Sequence, residues 1–172
     1  MVLFRKINRN KLNLLFDIVI SLAFVVEMEA HFTGLHYHEV LGVAIAVAFL
    51  VHLLLHWRWV VGITKQFIHA PFRLQEARFK YLLNVAVLIV VAVAIVTGIL
   101  ISSTLGFTLP LDPQVYNDAL YLHLGSSGLS LLLVGLHIAV DWKWVVASTK
   151  KYLFSFGPLQ ARPSAADNEQ SN

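Results

Sequence analysis

His-Trp-Arg-Trp-Val-Val-Gly-Ile-Thr-Lys at 56–65 is repeated 85 residues later as Asp-Trp-Lys-Trp-Val-Val-Ala-Ser-Thr-Lys at 141–150. The same offset superposes two pairs of histidines that precede these stretches, His38 on His123 and His52 on His137. A weaker echo places Lys-Leu-Asn at 11–13 on Leu-Leu-Asn at 82–84, ahead of the first and third apolar runs. The sequence therefore predicts a helix pair that is used twice.

The composition is that of a membrane protein. Of the 172 residues 58% are hydrophobic and 13% are charged, and the mean hydropathy is +0.70. Four apolar stretches are long enough to cross a bilayer as helices, at 12–31, 39–61, 81–103 and 120–146. We expect a single all-α domain over 1–172, built as an integral membrane four-helix bundle, with a disordered polar tail at 161–172.

The basic residues predict the orientation of this bundle. All 13 Lys and Arg residues fall at the N-terminus, in and beside the 62–80 connection, or on the C-terminal side. By the positive-inside rule both termini and that connection are cytoplasmic, and 32–38 and 104–119 face outward. We therefore expect a multi-pass protein of the cytoplasmic (inner) membrane, and the net charge of +3 reflects topology rather than nucleic-acid binding. Four tryptophans mark the inner interface: Trp57, Trp59, Trp142 and Trp144.

Each histidine pair presents two ligands on one helix face. Fourteen residues separate His38 from His52, and fourteen separate His123 from His137. That spacing is close to four helical turns and corresponds to a rise of about 21 Å. Spans two and four run parallel, so His38 faces His123 near the outer surface, and the other two histidines face each other deeper in the membrane. A lone histidine in a helix is usually hydrogen-bonded, but four at matched depths indicate metal ligands.

Two facing imidazoles at each depth suit six-coordinate haem iron, so we predict two b-type haems. The chain has no cysteine, which excludes thiolate ligation, iron-sulfur clusters and covalent c-type attachment. Any haem is thus bound non-covalently.

Further residues are candidates for the haem surroundings. Gly42, Ser127 and Ser130 lie on the shared faces and leave room for a flat macrocycle, although small residues equally permit close helix contact. Phe49 lies midway between the two levels, where core packing is the favoured interpretation. Arg58 and Lys143 are placed to neutralise the propionates of the inner haem.

The remaining polar residues are assigned with alternatives left open. His56 is rejected as a ligand because its counterpart in the repeat is Asp141, and we place both at the inner rim, where they either lie near a quinone or a proton path or simply face the membrane interface. Glu27 and Glu29 lie at the outer boundary, where they could handle protons for a quinol, although solvated carboxylates at helix ends are more common. His36 faces away from His52 on a continuous helix, and His31 remains an alternative outer ligand.

The paired histidines, with Leu-Val-His-Leu-Leu-Leu-His-Trp-Arg-Trp at 50–59 following His38-Glu39, resemble the bacterial four-helix di-haem membrane cytochromes b, the cytochrome b-561-like superfamily. The resemblance covers about 11–150 and is closer to small stand-alone members, which are associated with flavin-carrying extracytoplasmic electron carriers, than to the hydrogenase and formate dehydrogenase subunits, whose ligands are distributed differently. It implies haem ligation by His38 with His123 and by His52 with His137.

Electron transfer across the membrane, between a quinone pool and a redox partner protein on either side, is the expected function. Two alternatives stay open. One is a quinone or ferric reductase with its substrate beside one haem, and the other is a non-redox membrane anchor or metal transporter. The oligomeric state is left open.

Overall fold

The computed structural model describes residues 9–69, 75–104 and 110–154. Every regular element in these ranges is an α-helix, which confirms the predicted all-α class. The expectations for the tail at 161–172 and for Arg5, Lys6, Arg73 and Arg162 lie outside the described residues. The helices are α1 (Arg9–Glu27), α2 (Ala30–Thr33), α3 (Leu35–Leu55), α4 (Trp57–His69), α5 (Gln75–Ile101), α6 (Pro113–Val140) and α7 (Trp142–Tyr152).

Three of the described helices are long and apolar enough to cross a membrane: Leu35–Leu55, Ala77–Ile101 and Pro113–Val140. They correspond to the second, third and fourth predicted spans. Helix α1 has 19 residues and falls outside this group, and it carries four charged residues, Arg9, Lys11, Asp17 and Glu27. Large apolar side chains are exposed all along the three apolar helices, which indicates a membrane protein.

The helices pack as two hairpins. In the first hairpin (9–69) α1 packs against α3, and in the second (75–104 and 110–154) α5 packs along α6, while α3 and α5 join the two. The buried residues Leu83, Val87 and Val91 repeat every fourth position on one face of α5. Phe49 packs against this cluster, in agreement with the core-packing interpretation.

Each hairpin contains a helix break at the same position of the repeat. His56 ends α3 with φ −96° and ψ 7°, and Asp141 ends α6 with φ −101° and ψ 14°. The amides of Trp59 and Trp144 then donate to the carbonyls of these two residues, both at 2.9 Å. The predicted spans 39–61 and 120–146 run across these breaks, whereas the apolar helices end at Leu55 and Val140. The sequence duplication is therefore also a duplication of the backbone.

Helices α4 and α7 differ in character from the helices that they follow. Their polar and apolar residues lie on opposite faces, and their four tryptophans are all about half exposed. Such a helix suits a membrane boundary better than its interior. We call the end of the molecule that holds α4 and α7 the Trp end.

Contacts between elements define the two ends. At the Trp end, Asn10 Nδ2 donates to the Tyr152 hydroxyl at 3.4 Å, and Lys80 Nζ donates to Asp141 Oδ1 at 2.9 Å. At the opposite end, the Glu39 carboxylate at the start of α3 accepts hydrogen bonds from the Thr104 amide at 2.7 Å and the Ser102 hydroxyl at 2.9 Å. Glu39 therefore ties the first hairpin to the C-terminal end of α5.

Candidate functional site

The structure brings the predicted outer pair of histidines together. His38 on α3 and His123 on α6 have ring centres 6.1 Å apart, with ring planes at 81°. They lie toward the end opposite the Trp end, His38 in the first turn of α3 and His123 ten residues after Pro113 in α6. The two hairpins therefore each supply one imidazole to the same level.

The second ring nitrogen of each outer histidine is fixed by an oxygen acceptor. His38 Nδ1 donates to the Glu27 carbonyl at 3.0 Å and lies 3.1 Å from Glu27 Oε1. His123 Nδ1 donates to the Ala94 carbonyl on α5 at 2.9 Å. A carbonyl oxygen only accepts, so Nδ1 carries the proton and the lone pair of a neutral ring lies on Nε2. Metal-binding histidines usually have this arrangement.

The outer pair fits the ligand requirement of a haem iron. Two imidazoles that bind one metal ion from opposite sides, each through a bond of about 2 Å, have ring centres roughly 6 Å apart. The 6.1 Å separation of His38 and His123 satisfies this requirement. The available Nε2 lone pairs supply the matching donor chemistry.

Gly98 on α5 has no side chain and so leaves room for the His123 ring. A Cβ atom built at Gly98 would lie 2.8 Å from His123 Cε1 and 3.1 Å from Nδ1, closer than van der Waals contact allows. Any larger residue would push the ring away from α5 and from its Ala94 acceptor. The sequence analysis missed Gly98, whose one signal is a glycine interrupting a run of β-branched residues.

The inner level contains a carboxylate that the sequence analysis did not connect with the ligands. His52 Nδ1 donates to Asp17 Oδ1 on α1 at 2.9 Å, and His56 Nε2 lies 3.2 Å from Asp17 Oδ2. The two imidazole centres are 4.7 Å apart. As at the outer level, the Nδ1 hydrogen bond leaves His52 Nε2 as the free donor atom. His56 is engaged by Asp17.

His137 on α6 belongs to the same inner cluster. It interacts electrostatically with His52, His56, Asp17 and Asp141. The structure thus places the fourth predicted ligand at the level of the third, on the opposite hairpin.

The other candidates for the haem surroundings have these positions. A Cβ at Gly42 would lie 3.1 Å from Glu27 Oε1, so Gly42 leaves room for that side chain. Ser130 is 1% exposed and its hydroxyl donates to the Ser127 carbonyl at 2.7 Å. Arg58 and Lys143 are exposed near the starts of α4 and α7, at the same end as the inner cluster.

Glu27 corrects an expectation about the outer boundary. It is 6% exposed, not solvated, because α1 ends at this residue and its carboxylate lies against His38 and Gly42. The neighbouring Glu29, His31 and His36 are exposed. What the sequence did not indicate is that two carboxylates of α1, Asp17 and Glu27, lie against the predicted ligands His52 and His38.

Comparisons of the chain with protein-family models, with curated proteins and with solved structures find no match.

Proposed function

We propose that the protein transfers electrons across the cytoplasmic membrane through two non-covalently bound b-type haems. His38 and His123 would hold the outer haem, and His52 and His137 the inner one. The observation that carries this proposal is the outer pair, with rings 6.1 Å apart and both Nδ1 atoms committed to oxygen acceptors.

Helix α1 is proposed as the fourth membrane-spanning helix. Its 19 residues correspond to a length of about 28 Å, which is close to the thickness of the hydrocarbon core, about 30 Å. Arg9, Lys11 and Glu27 lie at its ends, and Asp17 within it is paired with two histidines. A buried charge in a bilayer is tolerated when it is paired in this way.

The orientation follows from the charges at the Trp end. The described Lys and Arg residues lie at the start of α1, on α4, at the start of α5 and on α7. Under the positive-inside rule the Trp end is cytoplasmic, with both termini inside. The His38 level then lies toward the outer surface and the His52 level toward the cytoplasm.

The bound haem would supply one-electron chemistry, and the chain supplies everything around it. Histidines on α3 and α6 would hold both haems, and iron held by two histidines would favour electron transfer over binding of an external ligand. The apolar helices keep water from both levels. The two ligands on α3 are about 21 Å apart along the axis, so together the levels extend most of the way across the bilayer. A membrane quinone and a redox partner protein are the proposed donor and acceptor.

The first experiment is a haem assay on the intact protein expressed with ample haem. We expect a sharp b-type α band in the reduced-minus-oxidised spectrum and two haems per chain. His123→Leu and His52→Leu should each leave one haem. His36→Leu is the matched control, because His36 is exposed and adjacent to the outer level, and it should retain two. A protein without the α band would contradict the proposal.

A divalent-metal site is the second candidate function, favoured by one observation. Ligand atoms of Asp17, His52 and His56 all lie within 4.8 Å of one another. Elemental analysis of the purified protein separates the two candidates. Two irons per chain without zinc supports the haem proposal, and zinc in a colourless protein supports a transporter or a structural metal site.

Cysteine labelling tests the orientation. Asn117→Cys near the start of α6 should react with a membrane-impermeant thiol reagent added to intact cells, and Lys150→Cys on α7 should react only after the membrane is opened. Both positions are exposed. The reverse pattern would overturn the orientation.

A further inference from the structure

Helix α1 contains no histidine, yet it contacts a proposed haem ligand at each level. Asp17 Oδ1 accepts the Nδ1 proton of His52 at 2.9 Å. The backbone carbonyl of Glu27 accepts a hydrogen bond from His38 Nδ1, and Glu27 Oε1 lies 3.1 Å from the same nitrogen. On the second hairpin, His123 has the neutral Ala94 carbonyl as its partner.

We propose that α1 is a tuning helix, in which Asp17 and Glu27 are positioning residues that orient His52 and His38 and stabilise the ferric state of the iron that each histidine binds. This inference rests on the proposed function. It assigns roles to two carboxylates that the electron-transfer proposal does not itself require.

The hydrogen bond from His52 to Asp17 fixes the orientation of the His52 ring. A histidine ring rotates about its side-chain bonds unless its second nitrogen is held. Asp17 is held in turn, because one of its oxygens accepts from His52 and the other lies 3.2 Å from His56 Nε2. The three side chains are between 23% and 29% exposed. The inner ligand is therefore oriented by a carboxylate that is itself fixed.

The Asp17 carboxylate also places negative charge beside a proposed haem ligand, His52. A carboxylate that accepts the Nδ1 proton increases the basicity of the imidazole at Nε2. Its negative charge also stabilises ferric haem, which carries one positive charge more than ferrous haem, and the effect is large in a medium of low dielectric constant. Both effects lower the reduction potential. Ala94, which presents only a backbone carbonyl to His123, offers no comparable charge.

Asp17 and Glu27 differ in the number of histidine contacts that their carboxylate oxygens make. Both oxygens of Asp17 have histidine partners, whereas Glu27 Oε1 shares His38 Nδ1 with its own backbone carbonyl. Glu27 Oε2 is buried without a hydrogen-bond partner among the described residues. The larger shift is therefore expected at the inner level.

Spectroelectrochemical titration of the intact protein with both haems bound tests the inference. Asp17→Asn should raise the midpoint potential of the inner haem by about 59 mV, which corresponds to a tenfold change in the ratio of ferric to ferrous affinity. The outer haem should keep its potential. Glu27→Gln should raise the potential of the outer haem by a smaller amount. His52→Leu, which retains the outer haem alone, identifies which titration step belongs to which level.

Two matched controls separate tuning from a purely structural role. Glu29→Gln changes an exposed carboxylate two residues from Glu27 and should leave both potentials unchanged. Asp17→Glu keeps a carboxylate at this position, so its inner haem should have a midpoint potential closer to that of the unmodified protein than Asp17→Asn has. If Asp17→Asn weakens binding of the inner haem, titration with added haem should show a loss of affinity of no more than roughly 10-fold. The inner haem that binds in this titration should still have the raised midpoint potential.

The outcomes distinguish the inference from the function on which it rests. An unmodified protein that binds no haem refutes the proposed function. An unmodified protein with two haems whose potentials stay the same in Asp17→Asn and Glu27→Gln refutes the tuning role alone. Equal shifts of both haems in either variant also refute it, because a level-specific contact cannot produce them.

Discussion

The two hairpins share a backbone plan but differ in the polar groups that support it. Each has an apolar helix with two histidines and a break at the same repeat position, His56 or Asp141. In the first hairpin the break residue lies against an acid on α1, and in the second it binds a base, Lys80, on α5. At the outer level both Nδ1 atoms donate to a backbone carbonyl, but only His38 also has a carboxylate oxygen nearby, Glu27 Oε1 at 3.1 Å.

The comparison shows which features the two hairpins must share if their histidines are to face each other, and which features can differ between them. Facing ligands need equal spacing on the two hairpins, and that spacing is the same in both. An Nδ1–H group needs only an oxygen acceptor, so a carbonyl and a carboxylate satisfy it equally. The two acceptors differ in charge, and a carboxylate oxygen lies within 3.1 Å of His38 and of His52 on the first hairpin.

The largest effect is expected at Gly98, the close contact specific to the second hairpin. In Gly98→Ala the new methyl group would lie 2.8 Å from His123 Cε1, and we expect a cost of about 1–3 kcal/mol from overpacking together with loss or weakening of the outer haem. Haem stoichiometry and the α band measure this effect.

Two other glycines calibrate that result. Gly128→Ala on α6, where a Cβ meets nothing within 4 Å, should leave both haems bound. Gly42→Ala in the first hairpin should have a smaller effect than Gly98→Ala, because its nearest neighbour is the flexible end of Glu27 at 3.1 Å. Normal outer-haem binding in Gly98→Ala would show that the His123 ring is free to move.

An intermediate effect is expected where the two hairpins are joined at the outer end. Glu39→Ala removes the acceptor of the Ser102 hydroxyl and the Thr104 amide. Hydrogen bonds to a charged group contribute about 1.5–3 kcal/mol when they are buried, and because Glu39 is half-buried we expect a loss of about 1–2 kcal/mol. Thermal unfolding in detergent, followed by circular dichroism, measures it. Asp118→Asn, at an exposed position of α6, is the control and should unfold at the original temperature.

The smallest effect is expected at the break of the second hairpin. Lys80 and Asp141 form an ion pair at 2.9 Å, but their side chains are 25% and 37% exposed. Exposed pairs of this kind contribute about 0–1 kcal/mol, and salt reduces the contribution further. Lys80→Met should therefore lower the unfolding temperature slightly at low salt and scarcely at all at high salt. A large, salt-independent loss would mean that this pair supports the second hairpin as strongly as Asp17 supports the first.

The sequence predicts the helical class and the outer ligand pair because both are periodic properties. The spacing of His38 and His52 places them on one face, and the repeat identifies their partners. The breaks at His56 and Asp141 are harder to predict, since Leu53 to Leu55 and Val60 to Val61 are equally apolar.

The supporting residues depend on how helices are rotated against one another. Gly98 matters because α5 turns that position toward His123, and Glu27 matters because α1 ends where its side chain meets α3. Helix α5 is apolar on all sides, so no pattern within it distinguishes the face toward α6. Such contacts arise between elements, and periodicity within one element does not report them.

The duplicated break has a practical consequence for spectroscopy. All four tryptophans of the chain occupy the first and third positions of α4 and α7. Indole emission from the native protein therefore arises from one end of the molecule, and lipids with quenching groups at graded depths would measure the depth of that end in a bilayer without an attached dye.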